Sequence, residues 1–280
     1  LSNQKHHFEY RSAGYLGESE KGCFNAGLSK YYSHIVGLFY KGQHHSYVAE
    51  FAQLSLQFIR ASAGEENIRT QMHTRVFNAA LHTARYELAY SVLALFTDTA
   101  LQHASLRILV TKMCESSNAS QLVNLPFIGL KDKVDQILYR KCSNISNVTA
   151  DIPYHQILYA WRIKHNDFRG AALILLERLL LLQQSSNVDK IIEGHQFETP
   201  VTQQYVSLIN TLSCVDSKNA WVLLERQANS SSTSNDGQQP KRQVVTLSDI
   251  RSGYQLELDQ LAAIENNQFT YEGVDAMDIL

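Results

Sequence analysis

Apolar residues recur along most of this sequence at intervals of three and four positions rather than two. That spacing is typical of amphipathic helices, and only four prolines and thirteen glycines interrupt it over 280 residues. The pattern predicts an all-α fold, an irregular α-solenoid-like stack of helical hairpins with about 11–13 helices and no sheet. The predicted helices cover residues 24–40, 45–61, 66–81, 85–96, 99–114, 131–142, 154–164, 168–184, 199–213, 217–227 and 247–264.

One predicted helix is apolar around most of its circumference. Every residue from Ala171 to Leu182 is apolar except Glu177 and Arg178. A helix of this kind needs cover on more than one side, so we interpret it as a helix inside the stack. The alternative is that its surplus apolar surface docks a helix of a partner protein.

Two of the predicted hairpins begin their second helix with the same pair of residues, an aromatic residue followed three positions later by alanine. These pairs are Tyr86 with Ala89 and Phe168 with Ala171. The small alanine lets the preceding helix approach while the aromatic ring fills the turn. The turn within residues 40–52 fits this description less well. The predicted structural core contains Tyr86, Ala89, Trp161, Phe168, Ala171, Leu175 and Leu176.

The closing helix is the candidate partner interface. Thr246 and Asp249 have the spacing of a capping box, which predicts that the helix starts there. The apolar residues that follow lie on one face and could dock into a groove of a partner protein. The same face could instead cover the last layer of the stack. It is formed by Leu247, Ile250, Tyr254, Leu258, Leu261 and Ile264.

The domain organisation follows from composition. We expect residues 1–22 to be a flexible or weakly ordered lead-in and residues 23–280 to form one α-helical stack domain. Within it, the segment at about 227–243 is rich in serine, asparagine and glutamine, and is expected to be a mobile loop. The apolar run that ends at Leu182 is too short to span a bilayer and contains two charges, so insertion in a membrane is not expected.

Neither the charge nor the motifs of the sequence indicate catalysis or the binding of nucleic acid or metal. The 25 basic and 27 acidic residues leave a formal charge of −2, which provides no field for attracting nucleic acid. The eleven histidines and four cysteines match no metal-ligand spacing, and no serine-hydrolase or nucleotide-binding motif is present. We therefore predict a protein that is not an enzyme, with no cofactor, no metal and no small-molecule substrate.

Three stretches together resemble a known family. They are "NLPFIGLKDKVDQIL", "YHQILYAWRIKHNDFRGAA" and "LAAIENNQF", in which Phe127 follows "LP" and Trp161 precedes a turn. In this order they resemble the C-terminal helical region of the large short-arm nucleoporin of the nuclear-pore Y complex. This is the one-hundred-sixty-kilodalton subunit of animals and the one-hundred-twenty-kilodalton subunit of fungi. The resemblance covers about residues 30–270.

The resemblance implies a structural scaffold of the nuclear pore complex at the nuclear envelope. Such a scaffold docks onto other helical scaffold nucleoporins at the hub of the Y complex, and supports nucleocytoplasmic transport and mRNA export as architecture, without catalysis. The alternative function is a tetratricopeptide-like adaptor that binds a short peptide in a concave groove. An adaptor needs Lys, Arg and Asn repeated on inner helix faces, and the sequence shows no such repetition.

Overall fold

The computed structural model describes residues 22, 27–59, 65–116, 118–144, 152–185, 199–226 and 241–265. These described residues form eleven α-helices and one two-stranded sheet. The chain divides into two compact units, residues 1–134 and 135–280. The predicted all-α hairpin stack is confirmed as the fold class. The expected lead-in at 1–22 lies almost wholly outside the described residues, and so does 227–240 of the expected loop.

The first unit contains helices that pack on one another in chain order. Each helix contacts the next one along the chain, which is the arrangement expected of stacked hairpins. Its centre is closed by buried side chains such as Met72, Phe77 and Leu109. The helices are α1 (Leu28–Lys41), α2 (His45–Phe58), α3 (Glu66–His82), α4 (Tyr86–Leu93), α5 (Thr99–Glu115) and α6 (Ala119–Asn124).

The boundary between the units falls inside α7 (Lys131–Ser143), and the rest of the second unit is built around one helix. That helix is α9 (Phe168–Ser185), which packs against α8 (Tyr154–Lys164), α10 (Pro200–Ser213) and strand β1 (Trp221–Arg226). Strand β2 (Lys241–Thr246) pairs with β1, and α11 (Leu247–Glu265) follows it directly and packs on α10.

The hairpin of β1 and β2 corrects two predictions, the absence of a sheet and the helix at 217–227. The strands are antiparallel, with Val222 opposite Val245 and Leu223 opposite Val244. Val222 and Leu224 are buried while Leu223 is exposed, so the apolar period here is two. Each strand has only six residues, and β-branched valines favour the extended backbone. Strand β2 also begins at Lys241, inside the segment expected to be loop.

Three helix–helix turns have the same backbone conformation. In each, a residue with left-handed φ stands two positions before the next helix, and the following N–H donates to a carbonyl five residues earlier. This is a Schellman turn, which satisfies the free carbonyl groups at the end of a helix. The left-handed residues are Gln43, Ala84 and Asn166, with φ of 57°, 54° and 61°.

Helix α9 is the helix that the sequence shows to be apolar around most of its circumference, and the structure shows what covers it. Ala171, Leu175 and Leu176 are all buried, and the helix has α8, α10 and β1 packed against it. Of the other predicted core residues, Tyr86, Ala89 and Trp161 are also buried, and Phe168 is half-buried. Most of α9 is thus covered within the second unit, while Leu181 stays exposed.

Charged side chains next to α9 are paired by a polar network. Arg162 donates two hydrogen bonds of 2.8 Å to the Asp135 carboxylate and one of 2.8 Å to the Gly170 carbonyl. Its guanidinium also lies over the Tyr139 ring, at 5.6 Å from the centroid. The Tyr139 hydroxyl donates to Glu177 at 3.3 Å. Burial raises the pKa of Glu177, while Tyr139 and Arg162 oppose that rise by stabilising its carboxylate.

We predict that Leu175→Ala lowers the free energy of unfolding by about 2–5 kcal/mol, because the buried side chain leaves a cavity between α9 and its neighbours. Urea denaturation followed by circular dichroism measures the change. Leu181→Ala in the same helix is the matched control, since Leu181 is exposed and its truncation is expected to cost less than about 1 kcal/mol. Equal costs for the two variants would contradict the enclosed position of α9.

We also predict that Ala84→Gly raises the free energy of unfolding by about 0.5–1 kcal/mol. Glycine adopts a left-handed φ without the steric cost that alanine bears. This gain in the folded state exceeds the free-energy cost of ordering glycine, which has more conformational entropy than alanine in the unfolded chain. The control is Ala104→Gly, at an exposed position inside α5, where the same exchange is expected to cost about 1 kcal/mol. In both thermal and urea unfolding, the midpoint should therefore rise for Ala84→Gly and fall for Ala104→Gly.

Candidate interaction surface

The candidate interface lies in the C-terminal layer, which we define as α10, the β1–β2 hairpin and α11. Helix α11 starts where the sequence predicts, because Thr246 and Asp249 form a reciprocal cap. The Thr246 N–H donates to Asp249 Oδ2 at 2.8 Å, and the Asp249 N–H donates to Thr246 Oγ1 at 3.3 Å. These hydrogen bonds hold the pKa of the exposed Asp249 carboxyl below its usual range.

The predicted interface residues of α11 face the interior of the second unit. Ile250 and Leu261 are buried, and Leu258 is half-buried. Leu247 and Tyr254 pack against the apolar cluster that includes Ile250, and the Tyr254 ring lies 5.9 Å from the Tyr205 ring of α10. The side chain of Ile264 lies outside the described residues. Most of this apolar face therefore has contacts within the chain.

The cluster under α11 contains side chains from α9, α10 and β1. It is continuous from the apolar helix α9 to Ile250 on α11. Its buried members include Leu176, Leu179, Leu208, Leu212, Val222 and Leu224. Because Ile250 of α11 belongs to this cluster and Leu247 and Tyr254 pack against it, the helix covers part of an apolar layer.

The opposite face of the hairpin carries an exposed apolar pair of side chains. Leu223 and Val244 stand directly across from each other and are 36% and 54% exposed. Trp221 lies on the same side of β1 as Leu223, since side chains alternate along a strand. The Arg169 guanidinium lies 3.8 Å from the Trp221 ring centroid, and its Nε donates to the Trp221 carbonyl at 3.2 Å. We call Trp221, Leu223 and Val244 the outer hairpin face.

Sequence reasoning missed the outer hairpin face because it assigned residues 217–227 to a helix. On a helix, Trp221 and Leu223 would point about 200° apart and form no common surface. The pair of valines at 244–245 is typical of a strand and could have predicted this face.

A polar pair between α8 and α9 has buried atoms without partners. His155 Nε2, together with Nε and one terminal nitrogen of Arg178, makes no hydrogen bond in the part of the chain that the structure describes. Burial, with a smaller contribution from the Arg178 charge, lowers the pKa of His155 to about 4. His155 is therefore neutral at pH 7, and the pair carries one positive charge.

The described residues contain no group of three or more His, Cys, Asp or Glu side chains that could hold a metal ion. Among the same residues, no helix is at once long enough and apolar enough to cross a bilayer. A cleft of about 200 Å³ lies among α9, α10 and α11 and is lined by side chains such as Gln183, Tyr205 and Glu257. It presents no nucleophile paired with a base.

Comparison with known proteins identifies the family. Residues 1–115 match the family model described as Nucleoporin Nup120, HEAT repeats. The chain is 36% identical to Nucleoporin NUP120 of Chaetomium thermophilum over 367 aligned residues, which cover all of this chain and 29% of that relative. It is 26% identical to Nucleoporin nup120 of Schizosaccharomyces pombe over 256 residues, with coverage of 90% and 21%.

An animal relative matches as well. The chain is 24% identical to Nuclear pore complex protein Nup160 of Mus musculus over 190 residues, which cover 68% of this chain and 13% of that protein. The chain thus spans less than a third of the length of each of these relatives. Together with the confirmed helical fold, these similarities show that the chain belongs to the Nup120/Nup160 family of nucleoporins, non-enzymatic proteins of the nuclear pore complex at the nuclear envelope.

Proposed function

We propose that this chain is a C-terminal helical segment of a Y-complex nucleoporin and that it docks onto other helical scaffold subunits at the hub of the Y. In this role it supports nucleocytoplasmic transport and mRNA export as architecture. The relatives named Nup120 and Nup160 support the assignment.

The observation that carries the docking proposal is the outer hairpin face. Leu223 and Val244 form a cross-strand apolar pair beside Trp221, while Val222 and Leu224 on the other side of β1 are buried. Exposed apolar side chains on a surface made rigid by packing beneath it are typical of the centre of a protein interface. We propose that this face contacts a helical hub subunit and that α11 serves mainly as the cover of the unit.

Direct docking by the apolar face of α11 is the second candidate. The sequence pattern of Leu247, Tyr254 and Leu258 favours it, and these three side chains are only partly buried. A partner that contacted this face would have to join α11 along its edges, because Ile250 and Leu261 already pack inside the unit. The two candidates predict different outcomes for substitutions in the hairpin and in α11.

We predict that Val244→Lys weakens binding to the purified helical hub subunits at least about tenfold, because a desolvated charge at the centre of an interface is unfavourable. Isothermal titration calorimetry with the full chain measures the affinity. The melting temperature should stay within about 2 °C, since Val244 is 54% exposed. Ser248→Lys places the same charge at an exposed position of α11 and should leave binding intact. Unchanged binding by Val244→Lys would contradict docking through the outer hairpin face.

We predict that Tyr254→Asp lowers the melting temperature by several degrees, because a carboxylate replaces a ring packed on Tyr205 and the apolar cluster. Differential scanning calorimetry and hub-subunit binding should be measured on the same preparation. Tyr254→Phe, which keeps the ring, should preserve both quantities. Lost binding with an unchanged melting temperature would instead favour direct docking by α11.

A further inference from the structure

One face of α3 in the first unit carries polar side chains that make no hydrogen bond among the described residues. The amides of Asn67, Gln71 and Asn78 and the guanidinium of Arg75 line a cleft of about 500 Å³. Tyr40 of α1 forms its other wall, and two threonines of α3 complete the lining. No carboxylate belongs to this lining, so the cleft has hydrogen-bonding groups and one positive charge.

The Arg75 side chain is positioned by neighbouring groups, but none of these groups carries a negative charge. Its guanidinium lies 5.5 Å from the centroid of the Tyr40 ring. A Cβ added to Gly37 would lie 3.8 Å from Arg75 Nη1, so the guanidinium also lies close to the α1 backbone. Within the described part of the chain Arg75 forms no ion pair. A positioned cation without a counter-charge favours binding of a carboxylate from another molecule.

The spacing of the amides suits an extended peptide. Asn67 and Gln71 are four residues apart, about 6 Å along the helix, which is close to the roughly 6.7 Å covered by two residues of extended chain. From Asn67 to Asn78 the helix rises about 16 Å, the length of about five extended residues. A primary amide can donate to the carbonyl and accept from the N–H of a peptide backbone.

A helical ligand would fit this chemistry poorly. The backbone groups of a helix are bonded to one another, so they would leave the three amides without partners. An extended segment has free N–H and C=O groups along its whole length and can satisfy the amides in sequence. The lack of a carboxylate in the cleft, together with Arg75, favours a segment that carries an acidic residue.

We propose that the cleft between α1 and α3 binds an extended peptide segment of another protein, with Asn67, Gln71 and Asn78 bonding its backbone and Arg75 bonding one of its carboxylates. The site belongs to the first unit, and it does not depend on docking through the C-terminal layer. It would give a scaffold protein a second, reversible contact of different chemistry.

The test begins with a phage library of random twelve-residue peptides, selected on the full chain and counter-selected on the Gln71→Ala/Arg75→Ala variant. We expect the enriched peptides to share an Asp or Glu. Fluorescence anisotropy of a synthetic enriched peptide should show about tenfold weaker binding to Arg75→Ala and about fivefold weaker binding to Gln71→Ala. Arg107→Ala on α5 and Gln53→Ala on α2, both at exposed positions, are the matched controls and should bind as the unchanged chain does.

A charge reversal makes the test specific. Arg75→Glu should lose the acidic peptide and regain binding when the acidic residue of the peptide is replaced by lysine. Circular dichroism confirms that each variant is folded, and Gln71→Ala, at an exposed position, serves if the Arg75 variants do not fold. The proposal is overturned if no peptide survives counter-selection, or if enriched peptides bind equally well without their carboxylate. Binding seen only between copies of this chain, by light scattering, would also overturn it.

Discussion

The second unit depends on one constraint, which is that a helix apolar on nearly all sides must be kept from water. Helix α9 meets this requirement for most of its apolar residues through packing against α8, α10 and β1. Burial of each leucine contributes roughly 1.5–3 kcal/mol as an upper estimate, so the helix draws its neighbours together. The layers around it in turn have apolar faces of their own, and α11 covers the outermost one. The order of elements in this unit follows from the need to cover each layer in turn.

The same constraint explains the polar groups near α9. Glu177 interrupts the apolar run, and its burial is tolerated because Tyr139 donates to it and Arg162 is close by. Arg162 in turn bonds both carboxylate oxygens of Asp135 and the Gly170 carbonyl at the start of α9. The network therefore connects α7, α8 and α9 by directional bonds, whereas apolar packing alone would allow them to slide. Arg178 lacks such partners among the described residues. Burial, together with the smaller effect of the Arg178 charge, lowers the pKa of the neighbouring His155, so this side chain stays neutral.

Most helices were predictable from sequence because they span several turns and repeat their apolar period, whereas the six-residue α6 is less than two turns long and was not predicted. The cap formed by Thr246 and Asp249 was predictable too, since it depends on two residues only three apart. The β-hairpin was missed for a physical reason: each strand is six residues long, and its partner lies beyond residues 227–240. Which face of α11 is covered, and whether the amides of α3 share a cleft with Tyr40, are set by packing between elements. Such packing leaves no local signal in a single sequence.

The size of the outer hairpin face limits how it can act. A stable interface covers about 800 Å² on each partner. Each of the three side chains of this face can bury about 250 Å² at most, so the three alone cannot supply that area. The face therefore suits the apolar centre of a larger contact, surrounded by polar residues of the hairpin and α11 that exclude water. Rigidity favours this role, because Val222 and Leu224 anchor β1 to the cluster beneath and the Arg169 guanidinium packs over the Trp221 ring. A partner that binds here loses little entropy in ordering the surface, so a small apolar centre can contribute most of the binding free energy.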